Sequence, residues 1–171
     1  MNHEHQASDI RIRLAVAEDA PAIASVLLDS FIEYESRYTP EGFAATTPSS
    51  AQIQDRLTEG PTWVVICNER IVGTVSVVPR DDSLYVRGMA ILPAARGKGV
   101  GKLLLRQVEL YASEFSYQRL FLSTTPFLER AIHLYEHYGF KRTSDGPYSL
   151  FGTPIFTMEK FLGRTVKGCR Q

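Results

Sequence analysis

The residues best suited to chemistry in this chain form one short run, Arg96-Gly97-Lys98-Gly99-Val100-Gly101-Lys102. It follows the apolar stretch Met89-Ala90-Ile91-Leu92-Pro93 and leads into an apolar-periodic segment from Leu103 to Phe115. That order reads as strand, glycine-rich turn, helix. Glycines at alternate positions leave the backbone free to adopt conformations other residues avoid and to approach a ligand closely. The first N–H groups of the helix have no intrahelical acceptor, and the positive end of the helix dipole lies at the same point. A phosphate group fits such a turn. Arg96, Lys98 and Lys102 add cationic side chains around it.

The spacing separates the phosphate ligands. A nucleoside-triphosphate loop needs G-x-x-x-x-G-K-[ST]; Gly97 to Gly101 is one residue short, and Leu103 stands where a metal-binding hydroxyl is required. A dinucleotide loop, G-x-G-x-x-G, fails because the third glycine comes one place early. The pattern that fits is [RQ]-x-x-G-x-[GA], filled by Arg96, Gly99 and Gly101. This resembles the pyrophosphate loop of the GCN5-related N-acetyltransferases, the GNAT family. Ala131-Ile132-His133-Leu134-Tyr135-Glu136-His137-Tyr138-Gly139-Phe140 resembles that family's A-x-x-L-Y-x-x-x-G-F segment, and Arg13-x-Ala15-x-x-x-Asp19 resembles its opening. The likeness spans Leu14 to Lys160 and carries motifs from Tyr85 to Phe140.

The resemblance implies acetyl-CoA as acetyl donor. Its pyrophosphate is expected on the turn, Arg96, Gly97, Lys98, Gly99, Val100, Gly101 and Lys102. Its pantetheine arm is expected to lie along Met89, Ala90 and Ile91 like an added strand, with a backbone N–H of that strand meeting the thioester oxygen. Tyr135 matches the family tyrosine that donates a proton to the leaving thiolate. Helix periodicity alone reads Tyr135 as a core residue. The substrate cleft is expected from Glu33, Tyr34, Tyr85 and Arg87, with Glu35 beside them; Glu33 and Glu35 suit a cationic acceptor, or belong to a solvated helix face. No general base stands out. Leu128 occupies a position where the family often has an asparagine, and Thr124 or Thr125 is available to replace that contact. The matched motifs contain no cysteine to carry an acetyl group, which implies direct transfer in a ternary complex with a primary amine. The alternative of another class is a non-catalytic acyl-CoA-binding module on the same fold. A third reading keeps the enzyme but gives it a longer acyl chain.

The elements that position these residues follow from patterning. Ile10–Ala15 alternates as a strand, and Glu18-Asp19 opens a helix with Ile23, Val26, Leu27 and Phe31 on one side. Phe31–Thr39 reads as a second helix, Thr39–Ser50 as a loop, and Ser50–Glu59 as a short helix ended by Gly60-Pro61. Trp63–Cys67 and Ile71–Val78 are strands joined at Asn68-Glu69-Arg70. In the strand Leu84–Leu92, alternation places Leu84, Val86, Gly88, Ala90 and Leu92 on one face, and Gly88 marks a bulge or a close backbone approach. The next helix should bury Leu104, Val108, Tyr111 and Phe115. Leu120–Leu122 is a strand, Thr124–Tyr138 a helix stopped by Gly139, and strands begin at Gly139 and Ile155. The expected fold is α/β: a mixed six- to seven-stranded sheet with helices on both faces, splayed between the fourth and fifth strands.

Composition bounds the partners. With 171 residues the chain reads as one domain, residues 9–163, with flexible tails at 1–8 and 164–171. Nineteen basic and 19 acidic residues cancel, which argues against nucleic acid as a partner. No run suits a membrane span or a signal-peptide core, so the cytoplasm is the expected compartment. Cys67 and Cys169 match no metal or redox spacing, and His133 and His137 read as a solvated pair, with His3 and His5 in the tail, so no metal is expected. A monomer or a homodimer fits the pattern.

Overall fold

Apolar, β-branched runs separated by tight turns build the first half of a twisted sheet. In the computed structural model, which describes residues 9–163, β1 (Ile10–Leu14) pairs antiparallel with β2 (Thr62–Cys67). Two-residue turns join β2 to β3 (Arg70–Arg80) and β3 to β4 (Ser83–Ile91). Asn68, Glu69 and Asp81 take positive φ there, which matches the turns to the strand twist. The tails, with His3, His5 and Cys169, lie outside the described residues.

Between β1 and β2 run three helices: α1 (Ala20–Phe31), α2 (Pro40–Thr46) and α3 (Ser50–Leu57). A 3-10 turn at Ala17–Asp19 opens α1, and Asp19 locks it. Its carboxylate takes both guanidinium nitrogens of Arg13 at 2.7 and 2.9 Å and the Val16 N–H at 2.8 Å. The Arg13 hydrogen bonds hold the Asp19 carboxyl below its ordinary range. Residues 32–37 form a 3-10 segment in place of the expected helix. The expected loop at 39–50 is corrected to α2. Thr39 and Pro40 read as loop formers, yet they supply its N-cap and first turn, with Thr39 Oγ1 accepting from Gly42 N at 3.0 Å.

After β4 the chain forms α4 (Val100–Glu114), β5 (Arg119–Thr124), α5 (Glu129–His137), β6 (Lys141–Arg142), β7 (Tyr148–Leu150) and β8 (Thr153–Phe161). The strand order is β1-β2-β3-β4-β5-β8-β6, with β7 on β8. The described residues form eight strands in place of the expected six or seven, because the chain after Gly139 makes two very short ones. Among the described strands only β4 and β5 are parallel, and only at Ser83–Tyr85 with Arg119–Phe121. Beyond Tyr85 they diverge, which is the expected splay.

Consecutive buried residues in β2 and β3 show a sheet covered on both faces. α4 lies on one face, over Gly73, where a Cβ would come within 2.8 Å of Val100. Its buried stripe is Val100, Gly101, Leu104, Leu105, Val108 and Ala112. Tyr111 is half-buried against Trp63, and Phe115 is exposed at the helix end, a correction to the expected stripe. α5 starts five residues later than expected, because Thr124 completes β5 and the Leu128 N–H closes a turn onto Thr125 O.

The bulge expected at Gly88 is present, with φ +59°. Thr74 pairs with Ala90 and Ser76 with Arg87, so one residue of β3 faces two of β4. The extra residue shifts the alternation. Tyr85, Arg87 and Ala90 therefore share a face, and Ile91 turns to the α4 side, a correction to the regular alternation.

Candidate active site

The diverging ends of β4 and β5 open a cavity of about 750 Å³. The Arg96–Lys102 loop bounds it at one end. Its glycines divide into two roles. Gly97 and Gly99 take φ +77° and +79°, and a Cβ on either would meet nothing within 4 Å. They supply left-handed backbone beside open space. Gly101 is different: a Cβ there would come within 2.6 Å of Leu134 and 3.1 Å of Ile91, so it lets α4 seat against α5 and β4. The first α4 bond runs from Leu103 N–H to Gly99 O at 3.1 Å, which leaves the N–H groups of Val100, Gly101 and Lys102 without intrahelical acceptors.

Cations surround this end unequally. Lys102 and Arg130 line the cavity. Arg96 also reaches its wall, but the guanidinium is engaged by Glu33 at 2.7 Å and Ser30 O at 3.2 Å. It ties the end of α1 to the loop. Lys98 does not line the cavity. No aspartate, glutamate or histidine is among the lining residues. Open space, free N–H donors and uncompensated cations fit a pyrophosphate.

Met89, Ala90 and Ile91 line the middle of the cavity. From Val86 onward β4 has no strand partner on its β5 side, so this edge can take an extended ligand. The Ile91 carbonyl is met by Ser30 Oγ, which lies 3.0 Å from it and 2.6 Å from Val26 O. Across the gap stand Thr124, Thr125, Leu128 and Tyr135. Thr125 Oγ1 is buried near the Tyr38 phenol, where it partly offsets the upward pKa shift from burial, and it has no partner at full hydrogen-bond distance among the described residues. Leu128 is the N-cap of α5 and caps nothing with its side chain, where an asparagine could. Tyr135 is 8% exposed and packs on Phe140 with ring centroids 5.8 Å apart. Burial, with a smaller effect of Tyr38, pushes its phenol well above the ordinary value, so it is protonated at any physiological pH.

The far end is closed by α2, α3 and the β7–β8 turn. Thr39 holds α2 to that turn, its N–H donating to Thr153 Oγ1 at 2.9 Å and its hydroxyl to Phe151 O at 2.7 Å. Tyr34, Tyr38, Thr46, Arg56, Tyr85, Arg87 and Leu150 line this end. Tyr38 packs edge-on to Phe127 at 4.9 Å, and burial raises its phenol too. Tyr85 stacks on Phe121 at 5.2 Å. Of the expected cleft residues, Tyr34, Tyr85 and Arg87 are here, while Glu33 is spent on Arg96 and Glu35 is exposed off the cavity.

Sequence reasoning passed over Arg56 and Arg130. Tyr38 belongs to the polar and aromatic run Phe31–Thr39, which reads either as a solvated face or as the wall of a substrate cleft. Arg56 and Arg130 had no signal, since a lone arginine in a helix reads as solvated. His133 and His137 are exposed on α5, and no cluster of potential metal ligands occurs among the described residues. No described helix is long and apolar enough to cross a membrane.

Comparison with known proteins supplies the context for this arrangement. Residues 26–140 match the Acetyltransferase (GNAT) family. The Escherichia coli protein named uncharacterized N-acetyltransferase YjgM is 33% identical over 147 residues, 82% of this chain and 87% of that one. Zebrafish N-acetylaspartate synthetase is 34% identical over 101 residues, which is 57% of this chain and 36% of that protein. Among solved structures, the PaiA N-acetyltransferase of Thermoplasma acidophilum in complex with coenzyme A has a TM-score of 0.77 at 18% identity, covering 90% of this chain and 99% of its own. YncA of Salmonella typhimurium, determined with acetyl-CoA, has a TM-score of 0.70 at 20% identity, covering 92% and 96%. At these identities the two structures share the fold with this chain.

Proposed function

This chain belongs to the Acetyltransferase (GNAT) family, and from that premise we propose that it moves an acetyl group from acetyl-CoA to a primary amine by direct transfer in a ternary complex. One observation carries the reading: the open loop at Gly97 and Gly99, the free edge of β4 and the Tyr135 phenol meet in a single cavity.

Acetyl-CoA supplies a thioester whose carbonyl carbon accepts the amine nitrogen, so that a C–N bond forms and the C–S bond breaks. The chain's own groups do the rest. The N–H groups of Val100, Gly101 and Lys102, with the Lys102 and Arg130 side chains, bind the pyrophosphate. The β4 edge at Met89–Ile91 orients the pantetheine arm and offers N–H donors to the developing oxyanion. Thr125 Oγ1, buried near the Tyr38 phenol, takes over the contact that Leu128 lacks. Tyr135 stays protonated, gives its proton to the leaving sulfur and regains one from the water that takes the amine's proton. With no carboxylate or imidazole lining the cavity, the amine loses its proton to water.

The retained Tyr135 in the donor cavity favours an enzyme over a non-catalytic acyl-CoA module. Thermal-shift titration with acetyl-CoA, CoA, ATP and NAD separates the readings, followed by thiol release across an amine panel. Stabilisation by both CoA forms alone, with thiol release, is the expected result. Stabilisation without thiol release from any amine identifies the binding module. No response to either CoA form refutes the donor assignment.

A further inference from the structure

The acceptor end of the cavity carries the wrong charge for a cationic amine. Arg56 comes from α3 and Arg87 from β4, and both line the cavity. Arg56 Nη1 lies 3.9 Å from the point a Gly88 Cβ would occupy, one residue from Arg87. Desolvation, then repulsion from Arg87, lowers the Arg56 pKa despite attraction from Glu59. The two guanidiniums therefore stand close together, half-buried, in a space no carboxylate lines. Among the described residues the one carboxylate that reaches them, Glu59, approaches Arg87 Nη2 at 2.5 Å with nearly half of its side chain exposed. One positive charge stays uncompensated. Arg87 Nε is buried and donates to nothing among the described residues. A buried guanidinium N–H without an acceptor is costly unless a ligand supplies one.

We infer that the acceptor is a small amine that also carries a carboxylate, an amino acid or close relative, whose carboxylate is held by Arg56 and Arg87. A guanidinium presents planar paired donors that match a carboxylate. Tyr34, Tyr38 and Tyr85 form the walls for its side chain, and α2 with the β7–β8 turn closes the end, which limits its size. The inference rests on the reading of this cavity as an acetyl-transfer site and names the class of molecule that enters opposite the thioester.

The test uses the whole protein with acetyl-CoA and matched acceptors that differ only in the carboxylate: L-phenylalanine and L-phenylalaninamide, L-leucine and L-leucinamide, with spermidine as a cationic amine. Binding is read separately, by thermal shift of the CoA-bound protein with each N-acetylated acid against its amide. The expected result is a kcat/KM about tenfold to a hundredfold higher for the acids than for the amides, the size of one or two charge-assisted hydrogen bonds. Spermidine should be the poorest acceptor, and the acid products should bind more tightly. Arg56→Gln and Arg87→Gln should narrow the acid-to-amide ratio by raising KM for the acids, while stabilisation by CoA is kept, which shows that each variant folds. Amides or spermidine used as well as the acids, with amide products binding as well, overturn the inference. So does an unchanged ratio in both variants. If CoA does not stabilise the protein, the transfer reading itself falls. If CoA binds and no amine is turned over, the product-binding arm alone decides.

Discussion

Tyr135→Phe removes one oxygen and tests whether that oxygen does chemistry or merely fills space. Tyr135 is almost wholly buried, its ring packs on Phe140, and its hydroxyl has no hydrogen-bond partner among the described residues. Loss of the oxygen breaks no protein hydrogen bond and relieves the desolvation of a polar group. Stability should stay within about 0.5 kcal/mol of the parent, or about 1–2 °C in melting temperature for a domain of this size. Turnover should behave differently. A positioned general acid contributes about 10² to 10⁴ in rate. The lower end applies here, because a thiolate, with a reference pKa near ~8.5, leaves without much help. A loss of about 10² in kcat is expected, with the acetyl-CoA KM within threefold of the parent. Thiol release across a range of acetyl-CoA concentrations measures both quantities, and thermal melts measure the stability. A kcat within threefold of the parent refutes the acid role. A melting temperature lowered by more than about 4 °C refutes the statement that the hydroxyl carries no structural load.

The loop glycines should separate by phenotype. Gly99→Ala places a side chain at φ +79° in open space, so it should cost about 1 kcal/mol in stability and weaken acetyl-CoA binding about tenfold or more by titration. Gly101→Ala should instead cost about 1–3 kcal/mol, because its methyl meets Leu134 at 2.6 Å, and thermal melts without ligand will show the difference. Asp19→Asn should destabilise the protein by about 2 kcal/mol at pH 7 through the charged bonds to Arg13 and the Val16 cap. Because the folded Asp19 pKa is lowered, its contribution is full above the unfolded carboxylate value near ~3.9 and is lost as pH falls through the folded value. Melts of the two proteins should therefore converge in acid. With no lining carboxylate or histidine to act as base, log kcat/KM should rise with pH up to the acceptor amine's own pKa. Two acceptors of different amine pKa should shift the profile by that difference, and a common limb near pH 5–7 would disprove it.

The glycine-rich end of the cavity was legible because it is written in local sequence. A glycine that takes positive φ, a helix start and a strand just before it are neighbours in the chain, so the turn at Gly97 and Gly99 could be placed from spacing, and the family resemblance pointed to the strand beside it. Gly101 fitted the motif for another reason, close packing on Leu134, which lies 33 residues away and leaves no local trace. The other end was legible only in part. Tyr34, Tyr85 and Arg87 were expected there, but Arg56 of α3 and Leu150 of β7 are brought beside them by the fold alone, from elements far apart in the chain. Glu33 and Glu35 read either as cleft wall or as solvated face, and neither carboxylate lines the cavity. Charge near a cleft in sequence says nothing of which partner neutralises it, and here Arg96 takes Glu33. β7 was missed because three residues after Asp145-Gly146-Pro147 are too few for a periodic signal.

Gly88 joins the two halves. In an unbroken strand, residues 87, 89 and 91 share a face. Ile91 is held on the α4 side by its contact near Gly101, so an unbroken β4 would turn Arg87 to that side as well, away from Arg56. The one-residue bulge reverses the alternation between Arg87 and Ala90. A single strand then presents Ile91 to the helix that carries the glycine-rich loop and Arg87 to the helix that carries Arg56. The positive φ at Gly88 is the cost of that reversal, about 1–2 kcal/mol for any residue with a Cβ. A Cβ at Gly88 would meet nothing closer than Arg56 Nη1 at 3.9 Å. Backbone conformation, and not crowding, is therefore what requires glycine at the point where the two ends of the cavity meet.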